Sequence, residues 1–242
     1  MAAVQQLAAH RRARACCAAS RWAADGLIRD GIDPRKVHVV GYGANVDLGR
    51  RPEQLWAERL WAEPRFLFVG RDWQRKNGEA VLRAFRKVRA EVPAARLDLV
   101  GHHPPLDEPG VTGHGPLSLY DPDTRDRARE LFASATCFVV PSHLEPFGIV
   151  YVEAARAGIA SIGTTVGGTD TSIGDAGFRV DPDDDDALYD AMRAMTDPQV
   201  AAERGQAAYR HARLLTWEAF GERVMRAMDW LELPTTPLAD FL

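Results

Sequence analysis

Short apolar runs alternate with amphipathic segments along most of this chain. Apolar, β-branched runs predict strands at 36–40, 65–70, 96–100, 137–140, 159–162 and 178–180. Helical spacing predicts helices at 2–18, 20–31, 53–61, 78–92, 124–134, 148–157, 184–196, 198–214 and 217–231, and residues 102–122 read as loop. Strands that alternate with helices imply βαβ units, so the pattern predicts an α/β fold with a mainly parallel, doubly wound sheet.

Composition narrows the class of protein. The chain has 242 residues, of which 46% are hydrophobic and 26% charged, with a net charge of −4. Basic and acidic residues are mixed, which argues against a nucleic-acid partner, and no apolar run is long enough to span a bilayer. Cys16, Cys17 and Cys137 fit neither a disulfide framework nor a zinc site, so we expect a reducing, cytoplasmic location.

The segment 141–154 carries the clearest chemistry. It follows a predicted strand, holds Glu145 and Gly148 in a loop, and enters a helix that contains Glu153. Gly148 permits close approach of the backbone to a ligand, and the helix N-terminus offers free N–H groups that suit a diphosphate. Both glutamates are expected at the carboxyl edge of the sheet, where open α/β folds bind ligands.

A cationic loop follows the strand at 65–70. Gly70 is succeeded by Arg71 and, five residues later, by Lys76. An arginine fork and a lysine point charge both suit phosphate oxygens. The alternative interpretation is a solvated basic turn.

Two other segments are weaker signals. Gly167 and Gly168 follow the strand at 159–162 and permit a close backbone approach to a ligand, although such a pair is usually only a turn. The acidic run at 181–186 suggests a metal site, but we favour capping of the helix that starts at 184.

In this order and spacing, the motifs resemble a known family. They are Gly-Arg-x4-Lys-x-Gly from Gly70, Pro-Ser-x2-Glu-Pro-Phe-Gly-x4-Glu-Ala from Pro141, the Gly-Gly turn, and Gly-Phe-x-Val-x-Pro-x-Asp from Gly177. From about residue 20 onward, the chain resembles the C-terminal half of retaining, group 1 GT-B glycosyltransferases, which include relatives of sucrose and glycogen synthases. The resemblance implies a Rossmann-like C-terminal domain with the N-terminal domain mostly absent.

The resemblance also implies roles for individual residues. Arg71 and Lys76 would bind the donor diphosphate and stabilise the leaving group, and Glu145 would contact hydroxyls of the donor sugar. Glu153 would bind the ribose. Further donor contacts would come from Gly70, Gly148, Ile149, Val150 and Gly168. A nucleotide-diphosphate sugar would be the donor substrate, with no metal and no other cofactor.

The expected organisation has three parts. Residues 1–50 would be the end of an N-terminal Rossmann-like domain and its linker, 51–215 the nucleotide-sugar-binding domain, and 216–242 a crossover helix and tail. Without the N-terminal domain, we expect an apolar face with Phe220, Val224 and Trp230 to be exposed.

Several functions remain open at this point. The first is a retaining glycosyltransferase whose acceptor is unknown and whose missing half is an N-terminal domain or a second chain. The second is a nucleotide-sugar-binding module or truncated, inactive remnant. A nucleotide-sugar epimerase or a phosphorylase of related architecture is a third. Location would be cytoplasmic, with peripheral attachment at the inner membrane face as a further option.

Overall fold

The computed structural model describes residues 2–45, 48–117 and 121–229. Within them lie two parallel sheets. The smaller pairs β1 with β2, and the larger has the order β5-β4-β3-β6-β7-β8. The strands are β1 (Cys16–Ala18), β2 (Val37–Val39), β3 (Arg65–Gly70), β4 (Arg96–Gly101), β5 (Val111–Gly115), β6 (Cys137–Val139), β7 (Ala160–Thr164) and β8 (Phe178–Val180). The predicted Rossmann-like, doubly wound parallel sheet is confirmed.

Helices precede, connect and follow the strands of the two sheets. They are α1 (Ala2–Arg12), α2 (Arg21–Arg29), α3 (Pro52–Glu58), α4 (Gly78–Glu91), α5 (Pro122–Ser134), α6 (Ile149–Arg156), α7 (Thr169–Ile173), α8 (Asp185–Ala194), α9 (Pro198–Ala212) and α10 (Trp217–Ala227). Short 3₁₀ turns occupy Pro34–Lys36 and Gly174–Ala176.

The strand order reverses between β3 and β6. Chain order runs outward from β3 through β4 to β5 on one side, and from β6 through β7 to β8 on the other. The connections that follow β3 and β6 therefore lead to opposite sides of the sheet, which places a crevice at the carboxyl edge, where ligands bind in this class of fold.

The core explains why the central strands were predictable. Phe66, Phe68, Leu97, Leu99 and Phe138 are all at most 1% exposed. Because helices cover a parallel sheet on both faces, its inner strands are continuous apolar runs.

Three elements differ from the sequence-based expectation. Residues 16–18 form β1, where an alanine-rich helix was predicted, because pairing with β2 outweighs helix propensity. Residues 111–115 form edge strand β5, whose two glycines hide the strand pattern. The turn predicted after Gly168 continues into the short helix α7.

The acidic run at 181–186 caps helix α8 and forms ion pairs with α4. Capping is the interpretation that we favoured from the sequence. The Asp184 side chain accepts a hydrogen bond from the Ala187 N–H at 2.9 Å and so caps α8. Asp185 accepts two hydrogen bonds from Arg83 of α4, and Asp186 one from Lys87. The run therefore ties α8 to α4.

Helix α10 is less exposed than expected. It packs on β1 and on the segment after β2, where Phe220 contacts the ring of Tyr42 at 5.7 Å. Phe220 and Val224 are half-buried, so the expectation of an exposed apolar face is wrong for them; Trp230 and the rest of the 230–242 tail lie outside the described residues. The domain limits at 50 and 215 stay a prediction.

Within the described ranges, every helix is too short or too polar to cross a bilayer.

Arg59 joins the C-terminal ends of two helices. Its buried guanidinium donates to the carbonyls of Phe132 and Ala133 at the end of α5, at 3.2 and 3.1 Å. It also donates to those of Ala157 and Gly158 just after α6, at 2.8 and 3.0 Å. Burial lowers the pKa of Arg59 to about 10, so the side chain stays cationic at neutral pH and opposes both negative helix ends.

Arg59→Met should therefore lower the free energy of unfolding by about 3 kcal/mol, because the variant strands four buried carbonyls. Urea unfolding followed by circular dichroism measures this. Arg50→Met is the matched control: Arg50 forms an exposed ion pair with Glu58, whose loss should cost less than about 1 kcal/mol. Equal losses in both variants would contradict the role given to Arg59.

Candidate functional site

Two loops meet at the crevice where the strand order reverses. One follows β3 (71–77) and the other follows β6 (140–148). The His143 N–H donates to the carbonyl of Arg75 at 2.9 Å, and the Arg75 guanidinium donates to the carbonyl of Leu144 at 3.1 Å. The cationic loop and the glutamate loop, 69 positions apart in sequence, thus form one structure.

Lys76 and Glu145 form a buried ion pair at this junction. The Lys76 ammonium donates to Glu145 Oε2, and the two residues are 9% and 8% exposed. Neither charge is solvated, so each is stabilised mainly by the other. The structure therefore joins two of the three predicted catalytic residues.

The third predicted residue, Arg71, is exposed. A different arginine approaches the pair: Arg75 Nη1 lies 3.8 Å from Glu145 Oε2. Sequence reasoning passed over Arg75 because it sits between the two cations of the motif. Its position directly before Lys76 was the available signal.

Gly148 starts helix α6 in a left-handed conformation, with φ of 76°. A side chain there would meet both the Tyr151 ring, at 2.4 Å, and Glu145 Cγ, at 3.0 Å. Ile149 and Val150 follow as the first helical residues, where backbone N–H groups lack acceptors inside the helix. Glu145 thus lies beside the positive end of α6.

Glu153 is buried one turn further along α6, at 8% exposure. Burial raises the pKa of Glu153 to about 7, and a hydrogen bond from the backbone N–H of Asn45 acts in the opposite direction. Among the described residues, no oppositely charged side chain compensates it. A buried carboxylate without a cation is costly, which is typical of a group kept for a ligand.

Gly167 and Gly168 lie against the backbone of the glutamate loop. The Gly168 N–H donates to the Glu145 carbonyl at 2.9 Å, and the Glu145 N–H donates to the Val166 carbonyl at 3.1 Å. A Cβ on Gly167 would stand 2.2 Å from that same Glu145 carbonyl oxygen. These glycines therefore permit close packing against the backbone of Glu145. A contact of Gly168 with the donor stays a prediction.

Ser20 fixes the glutamate loop from the other side, through a contact that no local pattern in the sequence indicates. Its hydroxyl caps α2 and also donates to the Pro146 carbonyl at 2.6 Å. Ser20 is fully buried, and a Cβ on Gly168 would lie 2.1 Å from its Oγ. The N-terminal segment therefore contributes to the walls of the site.

Gly70 ends β3 where two backbones almost touch. A Cβ on Gly101, the matching residue of β4, would lie 1.9 Å from the Gly70 carbonyl oxygen. A Cβ on Gly70 itself would stand 3.1 Å from Lys76 Cγ. The absence of a side chain at Gly70 thus leaves room for the aliphatic part of Lys76. A contact of Gly70 with the donor stays a prediction.

Comparison with known proteins decides the family. Residues 63–197 match the sequence profile described as "Glycosyl transferases group 1". The chain belongs to this family. The matched range contains Lys76, Glu145 and Glu153 and covers more than half of the 242 residues.

The sequence relatives include D-inositol 3-phosphate glycosyltransferases. That of Nocardioides sp. is 30% identical over 213 residues, which cover 77% of this chain and 46% of the relative. That of Streptomyces avermitilis is 31% identical over 220 residues, covering 81% and 47%. The chain of this group 1 glycosyltransferase thus spans about half the length of the curated relatives it matches.

Solved structures of GT-B enzymes share the fold. Sucrose-phosphate synthase of Thermosynechococcus elongatus is 26% identical with a TM-score of 0.70, covering 93% of this chain and 60% of that one. HepE of Anabaena, solved with UDP and glucose, is 19% identical with a TM-score of 0.73, covering 95% and 66%. The GT-B assignment of the fold is confirmed.

Within the described residues, no group of three or more His, Cys, Asp or Glu side chains is placed to hold a metal ion. Metal-free chemistry stays a prediction.

Gly167→Ala tests the contact between the turn and the glutamate loop. Because φ is +119° and the new methyl would meet the Glu145 carbonyl, we expect a loss of at least about 3 kcal/mol in unfolding free energy. Gly26→Ala is the control, since no atom lies within 4 Å of its Cβ position in α2, and it should be neutral or stabilising. A Gly167→Ala protein as stable as wild type would refute the contact.

Glu153→Gln should stabilise the ligand-free protein at alkaline pH. The raised pKa of Glu153 means that the unfolded chain loses this proton first, so stability falls as pH rises from about 4.5 to about 7. The variant should be more stable by up to about 3 kcal/mol near pH 8, with the difference vanishing near pH 4. Urea titrations at both pH values measure it.

Glu218→Gln provides the control for this measurement. Glu218 is exposed, and hydrogen bonds from its own backbone N–H and from Thr216 lower its pKa. Removing that carboxylate should change stability in the opposite direction. The quantity to compare is the difference in unfolding free energy between Glu153→Gln and wild type. If this difference is no larger near pH 8 than near pH 4, the burial argument is contradicted.

Proposed function

We propose that this chain is the donor-binding half of a retaining glycosyltransferase, which transfers a sugar from a nucleotide-diphosphate donor to an acceptor. The observation that carries the proposal is the buried Lys76–Glu145 pair beside Gly148, at the positive end of α6. A cation, a carboxylate and a helix N-terminus then share one crevice. A diphosphate linked to a polyol needs this combination of groups.

Ligand binding would exchange partners within the ion pair. The diphosphate would take the Lys76 ammonium and the free N–H groups of Ile149 and Val150. Glu145 would turn its carboxylate to the hydroxyls of the donor sugar, which can donate hydrogen bonds to both of its oxygens. Both charges keep a partner in each state, so neither is left buried alone.

Glu153 would accept hydrogen bonds from the vicinal diol of the ribose. The ligand's hydroxyls would then supply further hydrogen-bond donors to this buried carboxylate. Because an unprotonated carboxylate accepts more hydrogen bonds than a carboxylic acid, donor affinity should be higher above the pKa of about 7 than below it.

Departure of the nucleoside diphosphate would be assisted by fixed positive charge. Lys76, Arg71 and the α6 N-terminus would stabilise the negative charge on the leaving phosphate, without a metal. Retention of the anomeric configuration is inferred from the resemblance to retaining enzymes. Since Cys16, Cys17 and Cys137 are free thiols, we also place the protein in the reducing cytoplasm.

A second candidate is a module that binds the nucleotide sugar without transferring it. The Lys76–Glu145 pair and the buried Glu153, which would hold the diphosphate and the ribose, all lie in this chain, and a binding function needs no more than these groups. Transfer would then require a further domain or a second chain that receives the acceptor.

Calorimetric titration with UDP-, GDP- and ADP-sugars tests donor binding. At least one should bind, and Lys76→Met should weaken it by about tenfold to a hundredfold, the effect of losing a charged hydrogen bond. Lys87→Met is the matched control, because Lys87 forms an exposed ion pair with Asp186 and should leave affinity unchanged.

Two results would overturn the proposal. One is that no nucleotide sugar binds the folded wild-type protein. The other is that Lys76→Met binds as well as wild type. If Lys76→Met unfolds because Glu145 is left unpaired, the double variant Lys76→Met/Glu145→Gln removes both charges and serves instead. Conversion of one nucleotide sugar into another without acceptor would indicate an epimerase.

A further inference from the structure

Arg75 is a second cation beside the buried carboxylate of Glu145. Its Nη1 lies 3.8 Å from Glu145 Oε2, the same oxygen that accepts a hydrogen bond from Lys76. Among the described residues, these two are the cations within ion-pair distance of Glu145. Lys76 is buried, whereas the side chain of Arg75 is 45% exposed. Two cations therefore share one carboxylate oxygen, the lysine in contact with it and the arginine at the solvated edge of the crevice.

The position of Arg75 does not depend on Glu145. Its Nη1 donates to the carbonyl of Leu144 at 3.1 Å, and its Nε faces Asp72 Oδ2 at 3.8 Å. The Arg75 backbone N–H donates to Asp72 Oδ1 at 3.1 Å, and its carbonyl accepts a hydrogen bond from His143 at 2.9 Å. The guanidinium is therefore held near the carboxylate by contacts of its own. A shift of about 1 Å brings it to the length of a charge-assisted hydrogen bond.

Donor binding creates a need for this second cation. In the function proposed above, the Lys76 ammonium moves to the diphosphate and Glu145 accepts hydrogen bonds from the sugar. Hydroxyl groups are neutral, so they satisfy the oxygens of the carboxylate and leave its charge without a counter-charge. Because Glu145 is only 8% exposed, such an uncompensated charge is costly.

We propose that Arg75 is a positioning residue that takes over Glu145 when Lys76 turns to the diphosphate. The guanidinium neutralises the carboxylate from the side of the cationic loop and holds it in place for the sugar. Lys76 is then released to the phosphate without isolating its former partner. The ligand in this account rests on the proposed function, whereas the exchange of cations is a property of the chain and is measurable without ligand.

Removal of the lysine tests the exchange in the ligand-free protein. In Lys76→Met, Arg75 is left as the cation beside Glu145. Arg75→Met should therefore lower the urea midpoint of unfolding about twice as far in this background as in wild type. Arg83→Met is the matched control, because Arg83 is similarly exposed and pairs with Asp185, and its effect should be equal in both backgrounds. Equal effects of Arg75→Met in both backgrounds would overturn the proposal.

Folding of the variants gives a further check. Lys76→Met should fold, since Arg75 remains to neutralise the carboxylate; if it does not fold, the arginine fails to replace the lysine and the proposal is wrong. If Lys76→Met/Arg75→Met does not fold, adding Glu145→Gln should restore folding, because a neutral amide needs no cation. A triple variant that still fails to fold would show that the charge of Glu145 is not the cause, and would overturn the proposal.

Binding of a nucleotide sugar provides the second measurement. For whichever of UDP-, GDP- and ADP-glucose binds the wild type, Arg75→Met should weaken affinity about tenfold. Arg75→Lys, which keeps the charge, should weaken it by less than about threefold. In a Glu145→Gln background, Arg75→Met should have no further effect, because there is no carboxylate to neutralise.

The outcomes separate this role from the proposed function. A loss of about tenfold in both backgrounds would show that Arg75 contacts the ligand or only braces its loop, and would overturn the positioning role. If none of the three sugars binds, the proposed function fails, and the urea measurements alone decide whether Arg75 replaces Lys76 at Glu145.

Discussion

A buried ammonium and a buried carboxylate, Lys76 and Glu145, hold the two halves of the sheet's crevice together. Each lies in a loop whose connection leads to a different side of the sheet, so their attraction fixes the distance between two loops that are 69 positions apart in the chain. The backbone bonds from Arg75 to the glutamate loop have the same effect. Since neither charge tolerates isolation at this depth, the pair opposes separation of the two loops.

The same crevice contains polar groups whose hydrogen-bonding and charge partners are incomplete. Among the residues that the structure describes, no cation pairs with Glu153, and the first N–H groups of α6 have no acceptor inside the helix. A protein selected only for stability would replace such a carboxylate with an apolar or amide side chain. A destabilising buried carboxylate next to a buried ion pair is typical of a binding site, where the ligand supplies the missing partners.

The sequence predicts those parts of this arrangement that depend on local pattern. Central strands such as β3 are continuous apolar runs, and the positions of Lys76 and Glu145, each just after a predicted strand, place both residues at the carboxyl edge of the sheet. Strand β5 escaped prediction because an edge strand needs little apolar character. The contact of Ser20 with Pro146 escaped it because it joins residues more than 100 positions apart, where no periodicity operates.

Arg59 has an effect beyond stability. It neutralises the carbonyl end of α6, while the opposite end of this eight-residue helix opens on the crevice about 12 Å away. A helix dipole whose negative pole is compensated by a fixed charge presents a stronger net positive potential at the other pole. Arg59 therefore raises the electrostatic potential in the crevice from the far end of α6. It favours anion binding at a position that its own side chain does not contact.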